Sequence, residues 1–330
     1  MYSETRYQRL LNSCKQVRHR SGDRRSSSAT MSTSFTGHQW HSLTQAERER
    51  EYSPSSRIGG DYRPFVEAYR RRSAESRERA TAFGGRWVEH RYGSAEAQRI
   101  DICVPTNATA VPLLVFIHGG YWQELSAEAS LFPAASCIEH GAAFAAIDYT
   151  LAPKASVGLI VEECRAALDW LAHHAAQLGW DASRMVVAGS SAGAHLAAMA
   201  CLPGWREERR STFRPAAAVL ASGIYELEPL IGTSINDALH LDRQEARDQS
   251  PALLTPAAVV GFPRTMVCWG EIETDAFKEQ SQGFASLLRQ AHTDCQSLEI
   301  ATRNHFDVIL NLAEPGTALG LCTFDLLGLT

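Results

Sequence analysis

Three groups of residues have the types and spacing for chemistry. The first is Gly189-Ser190-Ser191-Ala192-Gly193, a G-x-S-x-G pattern centred on Ser191. It lies between the apolar run "RMVV" and "AHLAAMAC", a stretch of small residues with the composition of a helix. A serine there sits on a sharp strand-to-helix turn that pushes its hydroxyl outward. The backbone N–H of Ala192 points at the same spot, and the helix start adds the positive end of a dipole. Such a serine is a nucleophile for acyl transfer, and the charge that develops on the attacked oxygen needs fixed donors. The second group, "VFIHGGYWQE" from Val115 to Glu124, supplies them. Gly119 and Gly120 let the backbone approach closely, because no side chain intervenes. Tyr121 and Trp122 are expected to wall the substrate pocket. His118 is expected to hold the loop, and His195 to be a structural residue behind the nucleophile.

The third group is a base with its orienting acid. With a serine elbow of this kind the chain order is Ser, then Asp or Glu after a late strand, then His after the last strand. "RTMVCWGEIETDAFKEQS" offers Glu271, Glu273 and Asp275, and "QSLEIATRNHFDVI" ends with His305 before a new helix. His240 falls in an irregular stretch and His292 late on a predicted helix, so neither suits a base.

These groups need elements to position them. Residues 44–84 are highly charged and suit helices, with a turn signal in "YSPSSRIGG". "RIDICVP" and the fully apolar "PLLVFIH" read as strands. "AAFAAIDYTLAP" reads as another, stopped by Pro153. "VEECRAALDWLAHHAAQL" has helical spacing, with Val161, Cys164, Leu168, Leu171 and Ala175 on one face. "RMVVAG", "AAAVLASG", "RTMVCWG" and "QSLEIA" are further strands. The alternation predicts an α/β fold with a mostly parallel central sheet and helices on both faces. The polar stretch from Glu226 to Pro251 reads as an insertion over one edge of the sheet.

With 330 residues, 45% hydrophobic and 21% charged, the chain has ample material for one large core. A net charge of −5 gives no polyanion-binding signature, so nucleic acid is not an expected partner. No apolar stretch reaches transmembrane length, so no membrane partner is expected either. The eight cysteines are scattered, with no C-x-x-C pair and no zinc spacing. Free buried thiols in a reducing, cytoplasmic setting fit them better than a disulfide framework. Residues 1–30, rich in Arg and Ser, read as a disordered basic extension, with an organelle transit peptide as the other option. A single domain is expected over residues 31–330. The oligomeric state stays open, a homodimer being one option.

The chain resembles the α/β-hydrolases of the arylformamidase type, also called kynurenine formamidases, which are close to the hormone-sensitive-lipase-like esterases. The resemblance rests on "HGGYW", "DYTLAP", "GSSAGAHLAA", "SGIYELEPL", "GEIETDAFKEQS" and "NHFDVI", in that order over roughly residues 45–315. It implies an α/β-hydrolase fold with Ser191 as nucleophile, His305 as base, and Gly119, Gly120 and Ala192 as the oxyanion hole. The family acid lies three residues after a strand-end glycine, here Gly270, which gives that role to Glu273. Many members carry Asp there, so Asp275 stands as a second candidate. Ser190 occupies a position where relatives often carry His. The implied reaction is hydrolysis of N-formyl-L-kynurenine, a small-molecule substrate, to kynurenine and formate through an acyl-enzyme, with no metal or organic cofactor. The nearest rival is a general carboxylesterase with the same triad. A non-catalytic ligand receptor is a remoter one, since serine, acid and histidine candidates are all present.

Overall fold

The computed structural model describes residues 39–329 apart from 206–210 and 212. The extension expected over residues 1–30 lies outside that range. Eight strands form one sheet: β1 (Gly85–Arg91), β2 (Arg99–Pro105), β3 (Val111–Ile117), β4 (Ala143–Ile147), β5 (Trp180–Ser190), β6 (Ala217–Ala221), β7 (Arg264–Ile272) and β8 (Cys295–Asn304). Their order is β1-β2-β4-β3-β5-β6-β7-β8. β1 and β2 pair antiparallel with each other, and β2 pairs antiparallel with β4. All later pairings are parallel.

β3 shows why the sheet must be covered on both sides. Leu113, Val115 and Ile117 enter one apolar cluster, and Leu114 and Phe116 enter the other. A strand buried on both faces reads as a continuous apolar run rather than an alternating one. Helices α1 (Gln45–Glu51) and α2 (Arg63–Ala82) precede the sheet. α3 (Val157–Leu178), α4 (Ala192–Cys201) and α5 (Asp275–Gln290) contribute to the first cluster. α2 and α6 (Ala318–Leu327) contribute to the second. α3 starts where the Ser156 side chain accepts the Leu159 N–H, and ends at Gly179, whose φ is 108°. All five residues expected on its apolar face are buried.

One strand is added and two expectations are corrected. β1, whose mixed pattern hid it, adds an antiparallel edge to the mostly parallel sheet. β4 stops at Ile147, well before Pro153, because the next residues turn away: the Asp148 carboxylate binds Arg99 and Ala127, and Tyr149 reaches back to the β3 loop. The stretch from Glu226 to Pro251 is not over an edge. It connects β6 to β7, inside the sheet, and folds as short helical turns. It packs against the N-terminal arm, where Ser234 donates to Glu49 and Gln45 donates to Gly232 O.

Candidate active site

Ser191 stands at the end of β5, at the N-terminus of α4, with φ 57° and ψ −122°. A non-glycine residue with positive φ at a strand-to-helix turn is the strained elbow that the motif requires. The turn closes only with glycines on either side. A Cβ on Gly189 would lie 2.1 Å from Gly193 O, and one on Gly193 would lie 2.1 Å from Ile117 O. The small residues of α4, every one buried, let the helix press onto the sheet.

The β3 loop meets this elbow directly. A Cβ on Gly119 would stand 2.6 Å from Ser190 O and 3.2 Å from Ser191 Cβ. Gly120, Tyr121 and Trp122 follow with φ of 91°, 50° and 60°. The loop is pinned from below. His118 donates from Nδ1 to Gly119 O at 2.9 Å, and its Nε2 lies 3.4 Å from Asp148 Oδ1. Tyr149 stacks on His118 at 4.2 Å and donates to His118 O at 2.9 Å. Burial alone would raise the Asp148 carboxyl, but His118, the Ala127 N–H and Arg99 together hold it below its usual range.

The base and acid are joined. His305 Nδ1 donates to Glu273 Oε2 at 2.9 Å, with both side chains buried. That leaves Nε2 as the ring's acceptor. The other Glu273 oxygen accepts the Ser222 hydroxyl at 2.6 Å and the Gly270 N–H at 2.5 Å. Asp275 instead faces Arg57 at 3.7 Å with a side chain 78% exposed, and Glu271 accepts the Thr302 N–H. The His305 turn is locked by its neighbours: Asn304 Oδ1 accepts the N–H groups of Phe306 and Asp307, and Asp307 accepts the Asn304 N–H. Phe277 places its ring edge-on to His305 at 4.5 Å. Gln280, one turn on, accepts the N–H groups of Tyr225 and Glu226 and donates to Glu226 O.

Ser191, His305, Gly119, Gly120 and Tyr121 line one cavity of about 370 Å³. Aromatic rings supply much of its wall, among them Tyr52, Tyr62, Tyr69, Phe132 and Phe306. Trp122, expected as a second wall residue, is not there. It is 0% exposed, packs edge-on to His195 at 5.1 Å and belongs to the core. Two successive positive-φ residues reverse the chain, so Tyr121 faces the cavity and Trp122 is driven inward. His195 donates from Nε2 to Gln249 O at 2.7 Å, and burial lowers its pKa to about 4. Ser222, Asp148, Tyr149, Tyr52 and Tyr62 were not singled out from sequence. Four of them lie in quoted stretches, Asp148 and Tyr149 in "DYTLAP", Ser222 in "SGIYELEPL" and Tyr52 in "YSPSSRIGG", without a role assigned to them. Among the described residues no group of three His, Cys, Asp or Glu side chains is placed to hold a metal ion.

The chain is similar to several known proteins. The family model described as BD-FAE matches residues 100–233. A kynurenine formamidase of Danio rerio is 28% identical over 295 residues, covering 88% of this chain and 98% of that protein. One of Salmo salar is 29% identical over 282 residues, covering 83% and 94%. Among solved structures, a putative thioesterase from Silicibacter sp. TM1040 superposes with a TM-score of 0.71 at 25% identity, covering 83% of this chain and 98% of that one.

Proposed function

We propose that this chain, an α/β-hydrolase of the arylformamidase type, hydrolyses N-formyl-L-kynurenine to kynurenine and formate. The observation that carries the reading is the buried His305–Glu273 pair, whose histidine shares a cavity with a serine on a strained elbow. In this reading Ser191 Oγ attacks the formyl carbon while His305 Nε2 takes its proton. Glu273 holds the ring in the tautomer this needs and stabilises the imidazolium that forms. The oxyanion rests on the N–H groups of Gly119, Gly120 and Ala192. His305 then returns the proton to the arylamine nitrogen, a poor leaving group unless protonated. The C–N bond breaks and formyl-serine remains. Water enters, gives its proton to His305 and attacks the formyl carbon. Collapse of that intermediate releases formate and restores the serine.

The aromatic wall supports an aryl substrate, since ring faces gain from stacking and from area burial. A cytoplasmic setting belongs to the same reading. Seven cysteines are buried among the described residues, and burial pushes the Cys103 and Cys295 thiols up to about 12. No helix of the described residues is long and apolar enough to cross a membrane. The test is a side-by-side rate comparison of N-formylkynurenine with short p-nitrophenyl esters, extended to acetyl and butyryl amides of one arylamine. A steep fall from formyl to butyryl is expected. Equal or better turnover of butyryl substrates would make the protein a carboxylesterase with the same catalytic groups.

A further inference from the structure

We infer that Glu124 selects substrates bearing an ammonium group, by pairing with the α-ammonium of the amino-acid tail while the formyl group sits at Ser191. This rests on the proposed formamidase reading and adds a specificity residue to it.

Charge in the cavity is one-sided. Among the described lining residues Glu124 is the one carboxylate, and none is Lys or Arg. The other ionisable side chains there are tyrosines and two histidines. Of these, His118 is engaged by Asp148 and Gly119, and His305 by Glu273. The other polar side chains there are neutral, and three of them are tied to neighbours. Gln123 donates to Ile235 O, Ser234 to Glu49, and Ser130 to Ser126 O.

Glu124 is also fixed in place relative to the reacting groups. Its backbone N–H donates to Gly120 O at 3.0 Å, closing a turn that starts at a glycine assigned to the oxyanion hole. Its carboxylate accepts the Tyr62 hydroxyl at 3.0 and 3.2 Å to the two oxygens. Tyr62 in turn stacks on Phe306, the residue after His305, at 5.7 Å and 8° between planes. One carboxylate is thus tied to the loops on both sides of the reaction. Glu124 is exposed at the cavity mouth, and a hydrogen bond from a charged donor to its carboxylate is still stronger than one between neutral groups.

The test uses the full-length enzyme and four formamides sharing the ortho-acyl anilide core. They are N-formylkynurenine, its methyl ester (ammonium without carboxylate), its Nα-acetyl derivative (carboxylate without ammonium) and 2′-formamidoacetophenone (neither). The expected result is a kcat/KM order that follows the ammonium group: methyl ester first, Nα-acetyl derivative last. Glu124→Gln keeps an acceptor for Tyr62 and removes the charge. It should lower the ratio of methyl ester to formamidoacetophenone by about fivefold, through KM. Glu128→Gln, an exposed carboxylate on the same loop, should leave that ratio alone. Should Glu124→Gln fail to fold, the wild type still decides: added salt should raise KM for the methyl ester and not for formamidoacetophenone. Turnover of all four with one KM, or an equal response to Glu128→Gln, overturns the role of Glu124 alone. No turnover of any formamide overturns the formamidase reading and this inference with it.

Discussion

Glu273 reaches His305 with one carboxylate oxygen at 2.9 Å and spends the other on the Ser222 hydroxyl and the Gly270 N–H. The longer side chain therefore does not loosen the pair. Its extra methylene is taken up by a carboxylate clamped at both ends, from β7's own end and from the residue just after β6.

Replacing Glu273 with Gln should lower kcat by about 10³–10⁴-fold, because an amide at this place offers His305 a donor and disfavours the working tautomer. Asp275→Asn, whose carboxylate points at Arg57, should stay within a factor of a few of wild type. Steady-state rates of the two purified variants on one formamide decide between them. A crippled Asp275→Asn beside an active Glu273→Gln would reverse the assignment.

Ser191→Ala should abolish turnover, a loss on the order of a millionfold in kcat. Its melting temperature should match or exceed that of wild type, since alanine removes a polar side chain from a buried elbow. Activity near wild type in purified Ser191→Ala protein would remove the nucleophile from the scheme.

Gly119→Ala tests the contact between the two loops. The added Cβ falls 2.6 Å from Ser190 O, so either the oxyanion loop or the elbow must move. A loss of about 10²–10³-fold in kcat is expected, the size seen when one oxyanion donor is displaced. A variant with unchanged kcat would show that the Gly119 N–H takes no part.

Trp122→Ala should act on stability. Removing a fully buried indole costs about 3–5 kcal/mol, read as a shift in the urea midpoint. The preference for formyl over acetyl and butyryl substrates should be retained by the folded variant, because the ring faces His195 and not the cavity. A relaxed acyl preference at full stability would return Trp122 to the pocket.

His195 makes the fold sensitive to acid. Burial first, offset in part by its bond to Gln249 O, brings its pKa to about 4 from an ordinary 6.5. Between those values the unfolded chain binds a proton that the native chain refuses. Stability therefore rises with pH through the window and falls by up to about 3 kcal/mol on acidification across it. In His195→Gln the dependence of unfolding free energy on pH between 4 and 6.5 should flatten. An unchanged slope would place the acid sensitivity elsewhere.

Local pattern made the central sheet and the elbow legible. β3, β5, β7 and α4 announce themselves by unbroken apolar runs and by small residues at fixed places; the same signals pointed to Ser191, and chain order after the last strand pointed to His305. Direction was harder to read. Whether Tyr121 or Trp122 faces the site depends on two backbone angles that no periodicity encodes. Choosing among Glu271, Glu273 and Asp275 depends on how β7 leaves the sheet, and on a partner, Ser222, that is 51 residues away in sequence. Three of the cavity's four tyrosines, Tyr52, Tyr62 and Tyr69, come from the charged N-terminal arm, whose composition speaks of helices and a turn but of no site.

That arm lies upstream of every strand, yet Tyr52, Tyr62, Val66 and Tyr69 form part of the chamber in which Ser191 and His305 meet. The reacting groups are anchored to the ends of β5, β7 and β8, where the ladder of backbone bonds fixes them. The arm is held instead by core packing of Tyr52, Tyr69 and Ala80 and by side chains such as Ser73 and Ser76, which accept the N–H groups of Leu131 and Ala135. Selectivity therefore draws side chains from a segment that brings no reacting atom. A lineage, or an engineer, that exchanges Tyr52, Tyr62 or Val66 while keeping Ser73, Ser76 and Tyr69, whose hydroxyl donates to Phe306 O beside His305, would re-tailor the substrate without rebuilding the catalyst.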